Sequence, residues 1–272
     1  MLRASASKNK LNIWQSAALL ALLGAVVTLL AFFYPTGVDW EYTFSQLTLR
    51  HPYQVSSYLN PPFAVAFLPH RLLPMAWGNA VNMALNVGVL LLAVHQLEGG
   101  WLALALVFSS PVFFDLARTN NIDWLPLLGL LAGERWGILL LVSKPQSLGA
   151  AALIWARRDW RVLLVPAVAF AASFLLWGYW PGRVQFDPVH TVFNFAPFPV
   201  GVPYGVYLLW RAWRSDDPYL AAVSTPLLMP YIAPYSITGV LVVLSSRYRT
   251  AALWFYLVIW AFVVIEVRRL NG

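Results

Sequence analysis

Long apolar runs alternate with short polar turns along the whole chain of 272 residues. A helix crossing the hydrocarbon core of a bilayer needs about 20 predominantly apolar residues. The runs 11–33, 76–96, 162–180 and 250–266 meet that length. Shorter or broken runs lie at 61–69, 101–115, 122–133, 136–156, 200–213 and 218–246. Short apolar segments persist in a membrane where protein covers their ends or a watery cavity lies beside them, so the pattern predicts a cleft. No internal repeat, low-complexity stretch or long linker divides the chain. A single integral membrane domain over 1–272, all-α and polytopic, is expected.

Composition agrees with that pattern. Hydrophobic residues make up 60% of the chain and charged ones only 11%, with a mean hydropathy of +0.65. A water-soluble domain would expose far too much of that apolar surface. The absence of cysteine excludes a disulfide framework and thiolate metal sites. Histidines stand singly at 51, 70, 95 and 190, without the spacing of a zinc motif.

The net charge of +7 and pI near 9.8 resemble a nucleic-acid binder's, but the basic residues fall in short clusters between apolar runs. That is the positive-inside signature, and no nucleic acid is expected. Arg3, Lys8 and Lys10 place residues 1–10 in the cytoplasm, with the chain multi-pass in the cell membrane. The first run ends in large aromatics and Pro35 with no A-x-A-like site, so it reads as a retained helix and not a cleaved signal peptide. Residues 34–75 then form the first outer loop, Glu98 an inner turn, Asp115 to Asp123 an outer turn, and Glu134 and Arg135 an inner one.

The run 136–156 is broken by Lys144-Pro145 and flanked by Arg135, Arg157, Arg158 and Arg161. A re-entrant hairpin keeps those arginines inside and makes 181–199 an outer loop. Pro226, Pro230 and Pro234 interrupt 218–246, which fits one kinked span or two half-helices.

Few residues offer chemistry. Asp39 and Glu41 form an acidic pair just after the first helix; it can act as a general base, hold a divalent cation, or be a solvated loop. A lysine at membrane depth costs about 2.5 to 3.5 kcal/mol even on insertion scales, so Lys144 is expected to pair or to line a watery cavity. A phosphate is its natural partner; snorkelling to an interface is the alternative. Arg118, Asn120, Asn121 and Asp123 either bind a sugar or cap the next helix. Arg183, Asp187, His190 and Asn194 either bind an anion or form a solvated loop. The 14 tryptophans suit membrane interfaces and indicate no ligand.

The order of several motifs resembles glycosyltransferase family 87, also called domain of unknown function 2029. The motifs are Val38-Asp39-Trp40-Glu41, Tyr58-Leu59-Asn60-Pro61-Pro62-Phe63, Leu68-Pro69, Ser110-Pro111, Asn120-Asn121-Ile122-Asp123, Gly137 to Leu140, Lys144-Pro145-Gln146, Arg157 to Arg161, and Thr225-Pro226. The resemblance covers residues 11–235. It implies a GT-C-type bundle of about 8 to 10 membrane helices, short or re-entrant ones included. It also implies transfer of a sugar from a polyprenyl-phosphate donor to an acceptor on the extracytoplasmic side. On that reading Asp39 is the catalytic acidic residue, with Glu41 second. Lys144, Arg183 and His190 meet the donor phosphate; Asn120, Asn121, Asp123, Gln146 and Tyr58 bind substrate. Membrane lipids are further partners, and protein partners stay open. The other readings are a non-catalytic membrane scaffold subunit on the same fold and a lipid or solute transporter.

Overall fold

The structure, a computed structural model, describes residues 13–184 and 194–271. Among these residues every regular element is helical. The first helix, α1 (Ile13–Phe33), ends at Pro35. After it, α2 (Val38–Tyr42) turns by 83°, and 3-10 turns carry the chain across one end of the molecule to Leu72. The central helix α3 (Met75–Gln96) follows. The chain continues through α4 (Gly100–Phe108), α5 (Pro111–Thr119), α6 (Trp124–Ala132), α7 (Glu134–Ser143), α8 (Pro145–Leu148) and α9 (Ala151–Arg158). Its later part comprises α10 (Leu164–Trp177), α11 (Val202–Ser215), α12 (Pro218–Leu228), α13 (Thr238–Arg247) and α14 (Arg249–Asn271).

Two of these segments are long and apolar enough to cross a membrane, Met75–Gln96 and Trp160–Trp177. The number rises to four if each of two bent pairs is one span: α1 with α2, and α4 with α5, the latter bent by 60°. Leu22, Leu29 and Phe33 on α1, Val168 and Leu175 on α10, and Trp254 and Val258 on α14 are exposed. Such a surface is compatible with lipid as the solvent.

The interior is built on α3, against which α1, α4, α6 and α13 pack. One hydrophobic core runs from Trp40 and Tyr58 at one end, through Leu90, Leu125 and Leu241, to Leu244 and Ala252. The two helices α6 and α7 approach so closely that a Cβ on Gly137 would collide with the Gly129 carbonyl oxygen. Glycine is therefore required at that crossing.

The run 136–156 breaks at Lys144, between α7 and α8. Proline disfavours helical backbone in the residue before it, and Lys144 sits at φ −144°, ψ 70° with Pro145 opening α8. The chain then returns: Arg158, at the end of α9, lies 3.8 Å from Glu134, at the start of α7. The segment is thus a hairpin with Lys144 near its tip. The region 218–246 resolves into two half-helices, α12 and α13, joined through Met229 to Ile237.

Candidate functional site

Three chain breaks meet at the end of the bundle that carries the 34–75 loop. Asn120 ends α5 in the left-handed conformation (φ 52°, ψ 49°), a role asparagine tolerates better than most residues, and thereby turns Asn121 inward. The Lys144-Pro145 break brings the lysine beside it. The third contribution is Tyr235, in the turn between α12 and α13.

Lys144 is buried, 3% exposed, and its ammonium donates to Asn121 Oδ1 and Asp123 Oδ2, each at 2.7 Å. It also lies 4.8 Å from the centroid of the Tyr235 ring. Asp123, 5% exposed, accepts a second hydrogen bond from Ser147 Oγ at 3.2 Å. It makes no side-chain cap on α6, so its carboxylate serves the lysine and not the helix. Removing one partner of such a buried pair strands the other charge, at a cost of about 3 to 5 kcal/mol.

Asn121 links this pair to Asp39. Its Oδ1 accepts from Lys144 and from the Ile122 backbone N–H at 2.7 Å, which leaves Nδ2 to donate to Asp39 Oδ2 at 2.6 Å. Asp39 belongs to α2, beyond the end of α1. Burial pushes its carboxyl above the usual carboxylate range, while the Asn121 hydrogen bond, the Tyr235 hydroxyl and the Lys144 charge pull it down.

A cavity of about 270 Å³ opens onto this network. Asp39, Tyr58, Asn121, Lys144 and Gln146 line it, with Asn60, Asp115, Arg118, Tyr235 and Ser236. Gln146 Nε2 donates weakly to Asn60 Oδ1 at 3.4 Å. The buried Ser236 hydroxyl has no protein partner among the described residues, an orphan of the kind a bound molecule or water satisfies.

The remaining candidates fall elsewhere. Glu41 does not line the cavity, so Asp39 and Glu41 are not presented there to one cation. No group of three or more His, Cys, Asp or Glu able to hold a metal occurs among the described residues. Asn120 is fully buried, its amide spent on Asn79 and Asn82. Arg183 is exposed in the turn after α10 and does not line the cavity. His190 and Asp187 lie outside the described residues.

Beneath the site runs a buried asparagine ladder absent from the sequence reading. Asn79, Asn82 and Asn86 project from one face of α3 and hold the backbone of the 120–124 turn. Asn82 Nδ2 donates to the Asn120 carbonyl at 2.7 Å, and Asn86 Nδ2 to the Asn121 carbonyl at 2.6 Å. The Trp124 indole donates to Asn82 Oδ1 at 2.9 Å, and His70 Nε2 lies 3.2 Å from the same atom. Their spacing at i, i+3 and i+7 within an apolar run was the available signal. Tyr235 was also missed, since nothing distinguishes it in sequence from the other tyrosines.

Comparisons of the chain with protein-family models, curated proteins and solved structures give no match.

Proposed function

We propose that this chain is an integral membrane glycosyltransferase on a GT-C-type polytopic bundle, taking a sugar from a polyprenyl-phosphate donor to an acceptor on the extracytoplasmic side. One observation carries the reading: Asp39, Asn121 and Lys144, distant in sequence, converge on one cavity at one end of an apolar helical molecule. Buried charge in such a molecule is costly and marks function.

The chemistry follows from these residues. The acceptor hydroxyl is a weak nucleophile, and Asp39 takes its proton as the new bond to the anomeric carbon forms. The bond from that carbon to the phosphate oxygen breaks, and its electron pair leaves with the lipid phosphate. Burial gives Asp39 a higher proton affinity than an ordinary aspartate, as a general base requires. Tyr58, Asn60, Gln146 and Ser236 supply hydrogen-bonding groups for sugar hydroxyls, and Val38, Phe44 and Leu59 supply apolar wall. The volume is just below the range of about 300 to 1,000 Å³ for ligand pockets, which suits one sugar ring better than a chain.

The test is transfer from a panel of radiolabelled polyprenyl-phosphate sugars by the purified full-length protein. Wild type should turn over at least one donor, and Asp39→Asn should lose about 100-fold or more. A folded protein that turns over no donor would move the assignment to a non-catalytic membrane subunit.

A further inference from the structure

The sequence offers Lys144 as the cation for the donor phosphate, yet its donors are already committed. Two of its protons go to Asn121 and Asp123, and its remaining face covers the Tyr235 ring. Moving it to a phosphate would leave Asp123 buried and unpaired except for Ser147.

Arg118 stands in the opposite condition. It lines the same cavity, its side chain is 57% exposed, and it pairs with Asp115 at 2.8 Å. Its Nε and Nη2 share the single oxygen Asp115 Oδ1. An exposed pair of this kind one helical turn apart is weak, so the guanidinium can turn away at little cost. Its planar fork then matches phosphate oxygens.

We propose, resting on the transferase reading, that Arg118 and not Lys144 contacts the phosphate of the lipid ligand, and that Lys144 is a positioning residue that aims Asn121 at Asp39. The lysine, together with the Ile122 backbone N–H, fixes which edge of the Asn121 amide is carbonyl. That choice turns the N–H edge to Asp39.

The experiment titrates the full-length protein in nanodiscs with a short polyprenyl phosphate, the matching uncharged polyprenol and inorganic phosphate, read by tryptophan fluorescence. Arg118→Gln should weaken the polyprenyl phosphate about tenfold or more, the worth of a charge-assisted contact. Its affinity for the polyprenol should not change, and Arg118→Lys should recover part of the loss. The double variant Lys144→Met with Asp123→Asn removes both buried charges together. It should keep phosphate-ligand affinity and donor KM, lower kcat, and move the acid side of the pH profile upward.

Undiminished binding by Arg118→Gln, or a tenfold loss in the double variant, overturns the inference while leaving the transferase reading standing. Inorganic phosphate competing as effectively as the lipid would overturn the lipid assignment. A wild type that binds polyprenol and polyprenyl phosphate equally, or neither, takes down the transferase reading and the inference with it.

Discussion

The chemistry of a single carboxyl separates a working site from a solvated loop. Asp39 must be unprotonated to act as a base, and burial raises its pKa, so turnover should fall with decreasing pH above the range of an ordinary aspartate. The Asn121 amide favours the charged form through its hydrogen bond. In Asn121→Leu that support is gone, the pKa rises further, and the acid limb of the kcat/KM profile should move upward. An acid limb unmoved in this variant would detach Asp39 from the reaction. Part of this was legible in sequence: an acidic residue hemmed by Trp40 and Tyr42 after the first helix, and a lysine at a proline break. The division of roles was not. That Asp39 and not Glu41 lines the cavity, and that Lys144 is answered by Asp123, depend on how three distant breaks meet.

At the scale of elements, the candidate spans at 75–96 and 160–177 were readable because length and apolarity alone define them. The helix break at Lys144 was readable because proline dictates the backbone before it. The prolines of 218–246 permitted one kinked helix or two. Which occurs is decided by tertiary contacts: the 231–236 turn lines the cavity, and α13 enters the core. The asparagine ladder on α3 was present in the sequence as a spacing, and its function is to hold a loop and not a ligand. Asn82 occupies its centre, serving Asn120, Trp124 and His70 at once. Asn82→Leu preserves shape while orphaning the Asn120 carbonyl and the Trp124 indole, each worth about 1 to 3 kcal/mol when buried unpaired. The variant should show a clearly lowered thermal midpoint in detergent. Leu85→Ala, on the neighbouring partly buried face, is the control that separates a lost polar network from lost packing. An Asn82→Leu protein as stable as wild type would show that the ladder is dispensable.

Across the whole molecule, the cavity and the cluster of Arg158, Arg247 and Arg249 occupy opposite ends. α3 is 22 residues long, about 33 Å at 1.5 Å per residue, close to the thickness of a hydrocarbon core. At one end lie Asp39, Lys144 and the cavity. At the other, Arg158 pairs with Asp216 at 3.0 Å and approaches Glu134, the Arg247 guanidinium covers the Tyr219 ring at 4.5 Å, and Glu98 and Arg249 border a second opening. From there α14 turns back, its Tyr256 hydroxyl 2.9 Å from Ser109 Oγ, toward the site end. Clustered arginines favour the cytoplasmic side, so the cavity should face outward. The chain contains no cysteine, which lets single cysteines report each end without background. In right-side-out vesicles a membrane-impermeant maleimide should label Ser56→Cys, exposed in the cavity-end loop, and spare Ser215→Cys, exposed among the arginines. Inverted vesicles should reverse the pattern. Labelling of both from one face would mean that the molecule lies on the membrane instead of across it, and a donor presented on the outer leaflet could not then be its substrate. Reversed sidedness would put the cavity in the cytoplasm, where transfer would have to draw on a sugar presented at the inner leaflet.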